Sequence, residues 1–179
     1  MSIDQEIITA YNDGMEDYAF NLIIRHYSTR LYTHIRKLVP SHEDCDDILQ
    51  NTFIKVWKYL PQFRSESSLF TWIYRIATNE ALTFLKKERL RNIISLGSKE
   101  AEVVSSIESD PYFNGNQAQL KLHKAIACLP PKQRIVFSLK YFEELKYEEI
   151  AEITGGSIGS LKASYHIAYT KILNLLEKE

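Results

Sequence analysis

The sequence has few of the features that mark a secreted, membrane-embedded or metal-stabilised protein. Its 179 residues include only two cysteines, Cys45 and Cys128, which are far apart and match neither a disulfide framework nor a zinc spacing. No stretch approaches the roughly 18 consecutive apolar residues of a membrane span. The start, "MSIDQEIITAYNDG", has acidic residues where a secretory signal carries positive charge. We therefore expect a cytoplasmic protein without membrane insertion.

The chain also lacks an excess of positive charge. It has 22 Lys and Arg against 23 Asp and Glu, a formal net charge of −1. A protein that binds DNA unaided is usually strongly basic, because much of the affinity comes from neutralised phosphates. We therefore expect weak binding to duplex DNA by this chain alone. Residues 41–47 and 142–152 are acidic while 86–91 are basic, which suggests surfaces for different partners.

Signatures of common catalytic sites are missing as well. The sequence contains no P-loop, nucleophile elbow or glycine-rich dinucleotide turn. One alternative is an enzyme that uses the acidic cluster of Glu43, Asp44, Asp46 and Asp47 as a metal site. That cluster begins a predicted helix, where acidic residues are favoured in any case, and no histidine or cysteine joins it at ligand spacing. We expect no catalytic residues, no metal site and no cofactor.

Apolar residues at steps of three and four dominate the chain and predict helices. No alternating strand pattern of useful length occurs, and 95–118 is rich in polar residues with no sustained period. The sequence therefore predicts an all-α fold of two small helical domains, 8–93 and 117–179, joined by a linker at 94–116. The predicted helices are 16–39, 43–60, 68–91, 120–129, 132–142, 147–154 and 158 to near the end.

Two adjacent glycines, Gly155 and Gly156, lie between the last two predicted helices. Glycine within a helix costs roughly 1 kcal/mol relative to alanine, so the pair indicates a turn. Gly155 can take the left-handed conformation that closes a helix, and Ser157 can cap the next one. Two helices joined by such a turn form a helix-turn-helix. The alternative is a plain helical hairpin.

The last helix has two distinct faces. Small or hydrogen-bonding side chains on its outward face suit entry into a major groove roughly 12 Å wide. The outward residues are Ser160, Lys162, Ala163, His166 and Tyr169. The predicted buried stripe is Leu161, Tyr165, Ala168 and Ile172.

Aromatic and basic residues are interleaved in the stretch from 63 to 91. This combination suits single-stranded DNA, whose unstacked bases sit on rings while cations follow the backbone. Trp72 is expected to lie in the core, whereas Phe70 and Tyr74 suit either location. The set comprises Phe63, Phe70, Trp72 and Tyr74 with Arg64, Arg75, Lys86, Lys87, Arg89 and Arg91.

The helix at 43–60 has more apolar surface than one core face requires, and we expect it to carry a protein-docking face. Its polar residues are arranged around Phe53 and Trp57. They are Asp44, Asp47, Gln50, Asn51 and Lys55.

Three blocks of the sequence resemble a known family. They are "DCDDILQNTFIKVWKYL", "SSLFTWIYRIATNEAL" and "LPPKQRIVFSLKYFEELKYEEIAEITGGSIGSLKASYHIAYTKI". Together and in this order they resemble the blocks of bacterial RNA polymerase sigma factors of the extracytoplasmic-function type. The resemblance covers almost the whole chain. It implies a sigma-2 domain, a linker and a sigma-4 domain, and a function in directing core RNA polymerase to −10 and −35 promoter elements.

The resemblance also implies three sets of site residues. Docking on the clamp helices of the largest polymerase subunit falls to Asp44, Asp47, Gln50, Asn51 and Trp57. Recognition and melting of the −10 element falls to Arg64, Ser67, Phe70, Tyr74, Arg75, Asn79, Lys86, Lys87 and Arg89. Recognition of the −35 element falls to Ser157, Gly159, Ser160, Lys162, Ala163 and His166. The implied partners are core RNA polymerase, including the flap of its second-largest subunit, promoter DNA and an anti-sigma factor.

The sequence departs from the family pattern at Ser164 and Ile167, where many members carry arginines. Two phosphate or base contacts are thereby absent, so DNA affinity should depend on the polymerase holding both domains over the promoter. A further alternative is a conventional helix-turn-helix regulator with an N-terminal sensor domain. Such a regulator binds an operator without polymerase and leaves the aromatic and basic stretch unexplained.

Overall fold

The structure, a computed structural model, describes residues 2–94, 104–105, 107–111, 113 and 115–178, the side chains of 92–94 excepted. Within these residues the chain forms α-helices and a short 3-10 turn, Leu60–Gln62, with no strand, which confirms the all-α prediction. Most of the predicted linker lies outside the described residues. The helices are α1 (Ile3–Asn12), α2 (Glu16–Leu38), α3 (His42–Tyr59), α4 (Leu69–Ile94), α5 (Gln117–Ala127), α6 (Pro131–Tyr141), α7 (Tyr147–Thr154) and α8 (Ile158–Glu177).

Helix α1 was not predicted from the sequence. Ser2 and Gln5 form a reciprocal capping box at its start, an arrangement that satisfies two backbone donors. Ile7 and Ala10 are buried against α2. The cap and the three-residue spacing of these apolar side chains were the signals available in the sequence.

Helices α2, α3 and α4 form the N-terminal half of the molecule. Ser41 begins α3 as predicted, because its hydroxyl accepts a hydrogen bond from the Asp44 backbone amide at 3.2 Å. One stripe of each helix is buried at steps of three and four. The buried stripe of α3 is Cys45, Ile48, Thr52 and Val56, and that of α4 is Leu69, Ile73, Ala77, Ala81 and Leu85.

Helices α5 to α8 form the C-terminal half. Asn116 and Gln119 make a capping box at the start of α5, and Pro131 occupies the first position of α6, where its missing N–H costs nothing. These helices enclose a second apolar cluster. Its buried members are Ala125, Ile126, Leu129, Phe137, Ala168 and Ile172.

The two halves pack against each other. Helix α4 contacts both α6 and α7, and α2 contacts α5 and α6. Apolar residues of α4, such as Ile73, belong to the same buried cluster as Ile150 and Ile153 of α7. Arg134 on α6 donates to the Leu38 carbonyl at 2.7 Å, and its burial lowers the pKa of its guanidinium to about 10. The interface therefore combines apolar contact with buried hydrogen bonds.

The described part of the predicted linker also contacts the N-terminal half. Ile107 is buried, and Asp110 forms an ion pair with Arg36 of α2. Arg36 donates to the backbone carbonyls of Val39 and Pro40 as well. This part of the chain therefore lies against the end of α2.

Candidate nucleic-acid interface

The turn between α7 and α8 has the predicted geometry. Gly155 closes α7 with a φ of +75°, a left-handed conformation that glycine adopts without a steric penalty. The Ser157 hydroxyl accepts a hydrogen bond from the Ser160 amide at 3.3 Å and so begins α8. A Cβ atom on Gly156 would come 3.1 Å from Leu161 Cδ2, which explains a small residue there. The turn fixes the direction in which α8 leaves the fold.

The first three turns of α8 present an exposed face. Leu161, Ala168 and Ile172 are buried as predicted, but Tyr165 is only half-buried; Lys162 and His166 are exposed. The −35 candidates Ser157, Gly159, Ser160, Lys162, Ala163 and His166 are all exposed. The structure therefore brings these candidates together on the open side of the helix.

Two of these side chains make local contacts. The Lys162 ammonium lies 5.7 Å from the centre of the Tyr147 ring, at the outer edge of a cation–π contact. The Ser160 hydroxyl donates to the Ser157 carbonyl at 2.9 Å. Of the two residues that depart from the family pattern, Ser164 is half-buried and Ile167 is exposed.

Two aromatic candidates on α4, Phe70 and Tyr74, contact each other. The ring centroids of Phe70 and Tyr74 lie 4.2 Å apart and the ring planes are tilted by 37°, so the two rings are in direct contact. Phe70 is half-buried, but Tyr74 is completely buried. The Tyr74 hydroxyl donates to Glu143 Oε2 at 3.3 Å. Burial, and next the Glu143 charge, raise the pKa of Tyr74, so this hydroxyl remains a donor at neutral pH.

The other −10 candidates follow the loop before α4 and one side of the helix. Arg64, Asn79, Lys86, Lys87 and Arg89 are exposed, while Ser67 and Arg75 are half-buried. The Arg75 Nε has no hydrogen-bond partner among the described residues. Asn79 shares a cleft of about 190 Å³ with Ser160 and Ser164 of the C-terminal half. Candidates for two different DNA elements thus meet in one cleft.

The docking face predicted on α3 borders an apolar groove. Of the docking candidates, Asp47, Gln50, Asn51 and Trp57 are exposed and Asp44 is half-buried. The groove has a volume of about 440 Å³, and its walls come from α2 and α3. The Trp57 ring packs edge-on against Phe20 at 4.9 Å, and Ile54 is 57% exposed. Neither Phe20 nor Ile54 was among the docking residues predicted from the sequence.

A cluster of charged residues between the halves was not predicted from the sequence. Glu143, in the loop after α6, forms ion pairs with Arg30 and Lys37 of α2. Arg30 and Glu143 are 113 residues apart, so no local pattern relates them. The Arg30 guanidinium lies 4.5 Å above the Phe70 ring. The cluster therefore adjoins the aromatic candidates of α4.

Two family models match the two halves of this fold in order. The model "Sigma-70 region 2" matches residues 23–91, which include α3 and most of α2 and α4. The model "Sigma-70, region 4" matches residues 119–172, which include α6, α7 and the helix-turn-helix. Curated relatives extend the similarity along the chain. An "ECF RNA polymerase sigma-E factor" of Salmonella typhimurium (strain 14028s / SGSC 2262) is 29% identical, and the alignment covers 97% of this chain and 94% of that protein.

The chain belongs to the sigma-70 family, extracytoplasmic-function type.

A further curated relative and two solved structures are also similar to this chain. An "RNA polymerase sigma-H factor" of Pseudomonas aeruginosa is 26% identical over 89% of this chain and 86% of its own length. The solved structure of CnrH in complex with the cytosolic domain of CnrY has a TM-score of 0.69 and 18% identity, and covers 99% of both chains. The sigma factor RpoE of Bartonella quintana, solved with the anti-sigma factor NepR, has a TM-score of 0.67 at 23% identity over 88% of this chain and 96% of its own. These two structures share the fold of this chain.

As a sigma factor, the chain is a transcription initiation subunit that binds core RNA polymerase and directs it to promoter DNA. Sigma factors act as initiation factors rather than as enzymes. In the part of the chain that the structure describes, no helix is long and apolar enough to cross a membrane. No group of three or more His, Cys, Asp or Glu side chains is placed to hold a metal ion in that part either.

Proposed function

We propose that this sigma factor uses its two halves for separate promoter elements, with the domain division expected from the sequence: a sigma-2 domain at 8–93, a linker at 94–116 and a sigma-4 domain at 117–179. The N-terminal half captures and melts the −10 element, and the C-terminal half reads the −35 element. The proposal is supported most directly by the exposed face of α8, where Lys162, Ala163 and His166 are open beyond the Ser157 cap. A helix that begins at a capped turn and has small outward side chains fits a major groove.

On the −10 side, single-stranded bases stack near Phe70 and Tyr74 while basic residues follow the backbone. The adjacent rings of Phe70 and Tyr74 on α4 support this role, because base–aromatic stacking tolerates any base. The residues that contact the −10 DNA are Arg64, Ser67, Phe70, Tyr74, Arg75, Asn79, Lys86, Lys87 and Arg89. Tyr74 is buried while the halves are packed together, so this role requires them to separate.

The α3 face docks on the clamp helices of the largest polymerase subunit, and the flap of the second-largest subunit holds the C-terminal half. Asp44, Asp47, Gln50, Asn51 and Trp57 make the α3 contacts. The exposed Trp57 and Ile54 beside the groove support a protein partner, since aromatic side chains are enriched at interfaces. The protein acts in the cytoplasm, where core polymerase is found, and has no catalytic activity of its own.

An anti-sigma factor controls this protein. Support comes from the structure of RpoE, which was solved with the anti-sigma factor NepR. Occlusion of the α3 face by such a partner keeps core polymerase away.

Run-off transcription with core polymerase, with and without the protein, tests the function. We expect a transcript that starts at a specific promoter only when the protein is present. Lys162→Ala and His166→Ala should reduce transcription about tenfold from promoters that need the upstream element, because base-edge contacts contribute about 1–3 kcal/mol each. Asn174→Ala, on an exposed position near the end of α8, is the matched control. Absence of any transcript across candidate promoters contradicts the proposal.

A second set of variants tests the −10 assignment. Phe70→Leu and Tyr74→Leu retain apolar bulk but remove the rings, so they should reduce strand opening by at least tenfold. Permanganate reactivity of unpaired thymines in the complex with core polymerase measures the opening. Phe84→Leu alters another half-buried ring on α4 and should leave opening unchanged. If the Phe70, Tyr74 and Phe84 variants all open the DNA strands equally well, Phe70 and Tyr74 do not belong to the −10 site.

A further inference from the structure

Three hydrogen-bond donors from the N-terminal half converge on one carboxylate from the C-terminal half. The Glu143 Oε2 atom lies 3.3 Å from both Nε and Nη2 of Arg30 and 3.3 Å from the Tyr74 hydroxyl. The Lys37 ammonium lies 3.5 Å from Glu143 Oε1. The Glu143 side chain is only 7% exposed, although it belongs to a loop. Such a set of charge-assisted hydrogen bonds defines an anion site.

The donors of this site are held by the N-terminal half itself. Arg30 and Lys37 are on α2 and Tyr74 is on α4, two helices that pack together. The Arg30 guanidinium lies 4.5 Å from the centre of the Phe70 ring and 5.6 Å from that of Tyr74. Burial lowers the pKa of Lys37, so this cation lacks water and depends on a nearby anion. Removal of Glu143 therefore leaves an assembled group of donors in need of an anion.

The proposed function requires that Glu143 leave. Asn79 and Ser160 line one cleft in the packed arrangement. The −10 and −35 elements lie about 25 base pairs apart by their names, which is about 85 Å at 3.4 Å per base pair. Two residues that line one cleft cannot contact DNA elements that far apart. Both elements can therefore be bound only after the halves separate.

We propose that Arg30, Lys37 and Tyr74 form a phosphate-binding site for the single-stranded −10 DNA, which Glu143 occupies while the two halves are packed together. The inference rests on the proposed function for the location of the DNA strand. A phosphate accepts the same fork of hydrogen bonds from arginine as a carboxylate does. The site adjoins Phe70, so a base stacked there has its backbone phosphate close to Arg30. Glu143 and DNA then compete for one set of hydrogen-bond donors. Packing of the two halves therefore inhibits binding of the −10 strand by the protein itself.

Binding of a fluorescein-labelled 20-mer of thymidylate to the full chain, followed by fluorescence anisotropy, tests the competition without polymerase or promoter. Glu143→Gln removes the competing charge and should strengthen binding at least fivefold. Glu144→Gln makes the same charge change on the next residue, which is exposed, and should alter binding less than twofold. Equal effects of the two variants would mean that only net charge matters, and would overturn the proposal. So would a lack of any gain from Glu143→Gln.

The donors are tested in the Glu143→Gln background. Arg30→Gln should cancel most of the gain and reduce the slope of log affinity against log salt by roughly 0.7, the value for one lost contact to a single strand. Arg25→Gln, at an exposed position on the same helix, should do neither. Equal losses from Arg30→Gln and Arg25→Gln would assign the binding to general charge and overturn the site.

The outcome is separable from that of the proposed function. If the protein supports promoter-specific run-off transcription but Glu143→Gln and Glu144→Gln change strand binding equally, the proposed function is retained and this site is rejected. If transcription fails but Glu143→Gln strengthens strand binding and Glu144→Gln does not, the anion site is retained and the promoter role is rejected.

Discussion

His34 is a completely buried histidine between α2 and α4. Its Nε2 atom lies 3.2 Å from Thr78 Oγ1, and its Nδ1 has no hydrogen-bond partner among the described residues. Burial, with further contributions from Lys37 and Arg30, lowers the pKa of His34 from 6.5 to about 3. The folded protein therefore holds His34 neutral at every pH near neutrality.

This burial predicts a loss of stability in mild acid. Because the pKa is lower in the folded state, the unfolded chain binds the additional proton, so the free energy of unfolding falls as pH drops below about 6.5. Between pH 7 and pH 5 the contribution of His34 amounts to about 2 kcal/mol. Urea unfolding at the two pH values should show this loss for the wild type and a smaller loss for His34→Gln.

The control for this prediction is His26→Gln, which removes an exposed histidine two turns earlier on α2. It should retain the pH dependence of the wild type. An identical pH dependence in His34→Gln and the wild type would show that His34 does not contribute.

At the scale of elements, most of the fold could be predicted because the evidence was local. Steps of three and four placed α2, α3 and α4, and the predicted helix ends at 60 and 129 lie close to the observed ends at Tyr59 and Ala127. The turn before α8 was recognised from two glycines and a serine, each with a distinct backbone function. The short α1 was missed because its capping box was overlooked.

Alanine substitutions at two glycines of the helix-turn-helix should change the stability of the protein in opposite directions. Gly155 has a φ of +75°, and a Cβ added there would meet no atom within 4 Å, so Gly155→Ala should cost roughly 1 kcal/mol through backbone strain alone. Gly159 lies within α8, also with open space, so Gly159→Ala should stabilise the protein by roughly 0.5–1 kcal/mol. Thermal unfolding of both variants measures the difference.

Gly155→Asn is a useful companion, because asparagine tolerates the left-handed conformation better than alanine. It should be less destabilising than Gly155→Ala. A neutral Gly155→Ala would mean that the turn can adopt another geometry, and the predicted direction of α8 would then be in doubt.

At the scale of the whole molecule, the near-zero net charge limits independent DNA binding. The formal charge is −1, and a candidate DNA cleft is shared between the packed halves. We expect the protein alone to bind a promoter duplex with a dissociation constant weaker than about 1 μM at physiological salt, in the non-specific range. With core polymerase present, binding should become promoter-specific, because both halves are held over the DNA at high effective concentration.

Anisotropy or gel-shift titrations with a labelled promoter duplex measure both states. A scrambled duplex of the same length and composition is the control for specificity. Tight and specific binding without polymerase would instead favour the conventional helix-turn-helix regulator.

Helices α2 to α8, the capped glycine turn, the exposed face of α8 and the membership in the sigma-70 family could all be inferred from the sequence alone. Each of these follows from neighbours within four residues along the chain or from whole blocks of sequence, which a single chain displays directly. The packing of the two halves, the burial of Tyr74 and the contact of Glu143 with Arg30, 113 residues away, became evident only from the folded structure. Such contacts depend on how helices pack in space, and helical spacing along the chain carries no information about them.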